Sequence, residues 1–253
     1  MNLGLGGRRA LITGASKGIG YASALVLAQE GCDVHLVART ERNLEQAAQS
    51  IRKTTGREVT HTATDLSMSE NVNRLCEEHA KIDILVNNAG AIPAGTIDTV
   101  DETTWREAWD LKVFGYINMC RATYANMRGR GGVIINVIGI GGERPRTNYA
   151  AGAGGNAALM GLTRGLGGAS TEDGIRVVGI NPGLIETERM VTMLRVQADI
   201  KLGDAERWKE MLDPVFPPGQ PEHIADMVAF LASDRSSNTT GTIITIDGGQ
   251  CGR

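Results

Sequence analysis

Short apolar runs alternate with longer amphipathic ones along the whole chain. ALIT (10–13), DVHLVA (33–38), EVTHTAT (58–64), DILVNN (83–88), GVIINVI (132–138), IRVVGIN (175–181) and GTIITID (241–247) are short, rich in β-branched residues and bounded by Gly or Asp. Each predicts a strand. Helical periodicity fills 18–30, 41–54, 68–80, 102–128, 148–171, 188–211 and 221–233 between them. Strands alternating with helices imply βαβ units, and so an α/β fold: a doubly wound, mostly parallel seven-stranded sheet with helices on both faces. Runs as apolar as GVIINVI suit strands covered on both sides. No linker or repeat interrupts the pattern, and 1–253 reads as a single domain. The 188–220 segment is the least regular. It is rich in Met and charge and closes on DPVFPPGQP. Its place after the sixth strand predicts a substrate lid over a ligand crevice, with a plain surface excursion as the alternative.

Composition narrows the function classes. The net charge is −3 with both signs interspersed, so no basic block points to nucleic acid. Cys32, Cys76, Cys120 and Cys251 lie far apart, and the four histidines show no ligand spacing. Neither a disulfide framework nor a metal site is expected, and free thiols fit a cytoplasmic location. The N-terminus carries no charged-then-apolar leader, and no apolar run approaches the ~20 residues that span a bilayer. No membrane partner is expected. Glycine is abundant, with 33 residues in clusters that mark tight turns and close backbone approaches.

The first cluster is TGASKGIG (13–20), between the first strand and the first helix. Glycine there permits a tight turn, a close approach to a pyrophosphate, and packing of the helix on the strand. The helix start then offers free amides to phosphate. A strand–turn–helix context makes the motif a candidate dinucleotide site, with Gly14, Ser16, Lys17, Gly18, Ile19 and Gly20 as its residues.

The TGxxxGxG spacing resembles the short-chain dehydrogenase/reductase family. NNAG (87–90), NPGLIET (181–187) and PEHIADMVAFLASDRSSNTTGTIITIDGG match further family motifs in the same order, so the resemblance covers essentially the whole chain. It implies a single-domain Rossmann fold and a nicotinamide cofactor. By that resemblance Asn88, Ala89 and Gly90 support the adenosine side, Asp65 and Leu66 contact adenine, and Pro182, Gly183, Ile185 and Thr187 hold the carboxamide. The second strand ends in VART. An acidic residue there would favour NAD(H), but the chain has Ala38 and then Arg39, with Lys17 in the glycine loop. Two cations without a carboxylate suit a 2′-phosphate, so NADP(H) is expected over NAD(H).

The family's usual site pairs a Tyr acid/base with a Lys four residues on, a Ser thirteen residues before the Tyr, and an Asn on the preceding long helix. Aligning NAALMGLTRGLG with the family's pattern puts Asn156 at the Lys position and Gly152 at the Tyr position. Gly139 then takes the Ser position and Lys112 the Asn position. An alternative register puts Tyr149 at the Tyr position, but it leaves Ala153 where the Lys should be. The tetrad is therefore read as replaced, with Lys112, Tyr149 and Asn156 as candidate catalytic residues. Tyr149 lies one turn before Gly152 and either enters the crevice or forms a wall. Lys112 shares a helical face with Trp105, Trp109 and Tyr116, and either snorkels outward or points into the site. Lys112 and Asn156 look like the family's Asn and Lys exchanged.

Two further features are open at this level. ERPR (143–146) is either an anion site or a solvated run. Gly161, Gly165 and Gly168 fall on one helical stripe, which suits close packing by another helix, and the resemblance implies a homodimer or homotetramer. Three functions stand: an NADP(H)-dependent oxidoreductase acting on a small-molecule carbonyl or alcohol through an atypical site; a non-catalytic nucleotide-binding sensor or silent subunit; and a lyase or isomerase using Lys112.

Overall fold

The computed structural model describes residues 2–252. Seven strands form one sheet in the order β3-β2-β1-β4-β5-β6-β7, and every pairing is parallel. They are β1 (Arg9–Thr13), β2 (Asp33–Ala38), β3 (Val59–Ala63), β4 (Ile84–Asn87), β5 (Gly132–Val137), β6 (Ile175–Pro182) and β7 (Ile243–Ile246). The order reverses between β1 and β4. That is the switch point at which a doubly wound sheet opens a crevice beyond its carboxyl edge.

Eight α-helices cover the two faces among the described residues: α1 (Gly18–Gln29), α2 (Glu41–Thr55), α3 (Ser69–Glu78), α4 (Glu102–Trp109), α5 (Gly115–Met127), α6 (Ala150–Ala169), α7 (Glu188–Leu202) and α8 (Pro221–Ala232). One core joins the sheet to α1, α2 and α8 through Leu27, Leu44, Ile51 and Val228. A second joins it to α3 and α5 through Leu75, Met119 and Ile134, and a smaller one packs α6 through Leu159 and Met160 against Tyr116 and Ile138. The middle strands are buried along almost their whole length, as GVIINVI requires.

Two predicted helices are broken. The 102–128 helix carries a π segment at Asp110–Phe114, which widens one turn around Lys112. The 188–211 helix stops at Leu202 because Gly203 turns left-handed (φ 68°), and a 3₁₀ segment follows over Ala205–Met211. A polar ladder inside the sheet fixes α6. Asn87 Nδ2 donates to Asn136 Oδ1, and Asn136 Nδ2 donates to Thr163 Oγ1, both at 2.9 Å. All three residues are fully buried, and such a paired ladder resists sliding of the helix over the strands.

The stripe of Gly161, Gly165 and Gly168 is open within the chain. A methyl on Gly161, Gly165 or Gly168 meets nothing within 4 Å. The close approach is made by Gly167 instead, where a methyl would strike the backbone of Gly241.

Candidate functional site

A cavity of about 1120 Å³ opens at the carboxyl ends of β1, β4, β5 and β6. Its walls are the glycine loop, the loop after β4, the start of the loop after β5, and α7.

At the nucleotide end, the glycine loop is locked to NNAG. Thr13 Oγ1 accepts from the amides of Asn88 and Ala89 at 2.9 and 3.0 Å, and Asn88 Nδ2 donates to the Thr13 carbonyl at 3.0 Å. A Cβ on Gly20 would run into the Gly14 carbonyl oxygen, so the winding needs glycine there. Lys17, the N-cap of α1, gives no side-chain cap, which leaves the first-turn amides of the helix available to an anion. Lys17 and Ile19 line the cavity, as do Asn88, Gly90, Pro182, Gly183, Ile185 and Thr187. Gly14, Ser16, Gly18, Gly20 and Ala89 form the loops behind them. This cradle fits a dinucleotide pyrophosphate.

The other expected cofactor residues are placed less centrally. Arg39 is exposed at the end of β2. Lys17 Nζ is 2.7 Å from Glu188 Oε2, and this contact holds the Glu188 carboxyl below its usual range. Asp65 Oδ1 accepts from the Ser67 amide at 3.0 Å, and Leu66 is buried. Neither Asp65 nor Leu66 lines the cavity.

At the chemical end, Lys112 does not snorkel. Its side chain is buried, runs past Gly90 and lines the cavity. A Cβ on Gly90 would sit 2.5 Å from Lys112 Cδ, so the last residue of NNAG leaves room for the lysine stem. Lys112 Nζ donates to the Val137 carbonyl at 2.8 Å and to Tyr116 Oη at 2.9 Å. Burial, and secondly the Arg189 charge, push the Lys112 pKa down to about 7. Burial holds the Tyr116 phenol well above its usual value.

Tyr149 is the N-cap of α6, with a non-helical backbone (φ −143°, ψ 38°). Flanking hydrogen bonds fix it: the Gly95 amide donates to Asn148 O at 2.8 Å, and the Ala150 amide donates to Gly95 O at 3.2 Å. The first turn of α6 is held again by Trp109 Nε1, which donates to Ala151 O at 2.9 Å. The Tyr149 ring lies back over Gly152 and lines the cavity. Among the described residues its hydroxyl has no hydrogen-bond partner. Burial raises the phenol pKa, and the Arg189 charge opposes the rise.

Asn156 is buried and does not line the cavity. Its Nδ2 donates to the Gly139 carbonyl at 3.3 Å, and its Oδ1 has no partner. Among the described residues no hydrogen bond joins Lys112 to Asn156. The two side chains reach carbonyls two residues apart, at Val137 and Gly139.

Comparison with known proteins agrees with this fold. The family model described as enoyl-(acyl carrier protein) reductase matches residues 14–250. The chain belongs to the short-chain dehydrogenase/reductase family. It is 32% identical to a 3-oxoacyl-(acyl-carrier-protein) reductase of Chlamydia trachomatis, over 96% of each chain. It is 34% identical to 2-keto-3-deoxy-L-fuconate dehydrogenase of Xanthomonas campestris, over 98% of this chain and 81% of that one. Among solved structures, L-sorbose reductase from Gluconobacter frateurii, complexed with NADPH and L-sorbose, superposes with a TM-score of 0.92 at 32% identity and covers both chains fully. These short-chain dehydrogenase/reductase relatives are oxidoreductases, and NADPH is bound in the sorbose reductase complex.

One group in this family member's cleft was not singled out in the sequence. Arg189, two residues past Thr187, reaches from α7 across to the loop after β4. Its guanidinium donates to Gly90 O at 2.7 Å and to Ile92 O at 2.8 Å. Only its place just after the NPGLIET motif hinted at it. ERPR does not reach the cavity: Arg144 is tied to the Gln250 carbonyl, and Glu143 accepts from Thr245 Oγ1 at 2.9 Å.

Among the described residues, no helix is long and apolar enough to cross a membrane.

Proposed function

We propose that this chain is an NADP(H)-dependent oxidoreductase that interconverts a carbonyl and an alcohol, with Tyr149 as its proton donor. In this reading the family's Asn, Ser, Tyr and Lys are replaced by Lys112, Gly139, Gly152 and Asn156. The observation that carries it is the Tyr149 ring, which fills the space a side chain on Gly152 would enter and leaves its hydroxyl unpaired at the cavity wall. A tyrosine from one turn earlier thus stands in for the missing one.

The nicotinamide supplies hydride when bound. Tyr149 Oη gives its proton to the carbonyl oxygen as the carbon is reduced, and the phenolate regains a proton from water. Arg189 and Lys112 supply the positive field in which that phenolate forms, a part that falls to the paired lysine in the family's usual site. With the cofactor bound, the first-turn amides of α1 would hold the pyrophosphate, Thr187 the carboxamide, and Lys17 with Arg39 the 2′-phosphate. The NADPH in the sorbose reductase complex supports the cofactor choice. Residues 188–220 act as the substrate lid, since α7 forms one cavity wall. The open stripe of Gly161, Gly165 and Gly168 supports assembly into a homodimer or homotetramer.

Fluorescence titration with NADPH and NADH, followed by a carbonyl panel read by NADPH loss, tests the reading. NADPH binding with turnover that Tyr149→Phe abolishes supports it. Turnover that survives in Tyr149→Phe overturns the assignment of the proton donor. A nucleotide-binding protein without turnover is the second reading, favoured by the retreat of Asn156 from the cavity. Tight NADPH binding with no turnover across the panel would decide for it.

A further inference from the structure

The wall formed by α7 is chemically graded. Arg189, Met193, Val196 and Ile200 follow an i, i+4, i+7, i+11 pattern, so they share one face of the helix, and all line the cavity. Arg189 sits at the inner end, near Tyr149 and Lys112. In the middle Met193, Val196 and Ile200 make an apolar strip, flanked by Thr192 and Gln197. At the outer end Lys201 also lines the cavity. The inner and outer cations are twelve helical residues apart, about 18 Å along the axis. Val196 and Ile200 are 57% and 78% exposed, unusual for large aliphatic side chains on a cavity wall. Across from them, Ile92, Pro93 and Ala94 add further apolar surface.

The charges on this wall are unbalanced. Among the described residues Glu188 is the only acid that lines the cavity, and in this structure it pairs with Lys17. Lys112 is committed to Val137 and Tyr116, and Arg189 to two carbonyls. The Lys201 side chain makes no hydrogen bond or ion pair among the described residues. A long apolar strip that ends in an unpaired ammonium matches one kind of small molecule: an elongated aliphatic chain with a carboxylate at its far end.

We infer that the substrate is a medium-chain aliphatic oxo acid, its carbonyl at Tyr149, its chain along Met193, Val196 and Ile200, and its carboxylate on Lys201. The carbonyl end of this assignment rests on the redox reading above. The chain and carboxylate ends do not.

Binding and turnover therefore test it separately. Isothermal titration with decanoate and with decanol, neither of which has a carbonyl to reduce, reads the wall alone. The expected result is tighter binding of decanoate than of decanol in the wild type. That preference falls roughly fivefold in Lys201→Met, the size of one partly exposed ion pair, and is restored in Lys201→Arg. Equal affinity for the two ligands, or a preference that Lys201→Met leaves unmoved, overturns the proposal. An ω-oxo acid and its methyl ester, compared by KM with NADPH, extend the test to the reaction: the acid is expected to have the lower KM, and Lys201→Met to narrow the gap. If neither compound turns over, the carbonyl end of the assignment fails, and the decanoate titration still decides the binding assignment.

Discussion

The ring of Tyr149 occupies the volume that a side chain on Gly152 would need. A methyl built on Gly152 would land against Cζ and both Cε atoms of the ring. The pair is therefore exclusive, and either a side chain at 152 or the Tyr149 ring can occupy this place. Gly152→Ala is expected to expel the ring and lower kcat about 100-fold, the weight of a lost general acid. NADPH affinity should change little, because the cradle lies at the other end of the cavity. Steady-state kinetics beside a nucleotide titration check this. A Gly152→Ala enzyme with wild-type kcat would remove Tyr149 from the mechanism.

Arg39 stands exposed where β2 ends, the place from which a side chain meets the 2′ position of the adenosine ribose. Arg39→Ala is expected to weaken NADPH binding about tenfold, as one charge-assisted contact would, and to leave NADH binding nearly unchanged. Paired titrations with the two nucleotides measure the ratio. An equal loss for both would show that Arg39 does not read the phosphate.

Lys112 makes stability depend on pH. Its pKa falls from 10.5 to about 7 on folding, chiefly through burial. Below pH 7 the lysine is charged in both states and the penalty of burying it is complete. Between about 7 and 10.5 the folded protein binds fewer protons than the unfolded chain, so stability rises with pH across that window. Lys112→Met removes this contribution. From about pH 6 to about pH 9.5 the wild type should gain on the order of 1–3 kcal/mol relative to the mutant in urea denaturation. A constant difference would mean that Lys112 keeps its proton in the fold.

Two glycines of α6 separate packing within the chain from packing between chains. Gly167→Ala drives a methyl into the backbone of Gly241 and should cost about 1–3 kcal/mol in unfolding free energy. Gly165→Ala meets nothing within the chain and should strengthen the isolated helix by about 1 kcal/mol. If the glycine stripe is a contact between copies, the same change will shift sedimentation toward smaller species. Unchanged sedimentation would place the interface elsewhere.

Local signals in the sequence determined the architecture. All seven strands appear where β-branched apolar runs lie between Gly and Asp, because a strand buried on both faces can be written in few other ways. The glycine loop was equally legible, since its geometry is fixed by residues adjacent in the chain: Gly14 and Gly20 approach each other across a single turn.

Tertiary structure decided what the site contains. The direction of Lys112 depended on the π segment that carries it and on a carbonyl at the end of β5, 25 residues away. Tyr149 reached the cavity because its backbone leaves helical geometry at the N-cap and is pinned by Gly95, a partner that periodicity does not reveal. Arg189 bridges to Gly90 across 99 residues, and Gly167 rather than the visible glycine stripe meets another backbone. A pattern along the chain records which face of an element is apolar. Which group of a distant element waits at that face is settled only when the sheet brings both together.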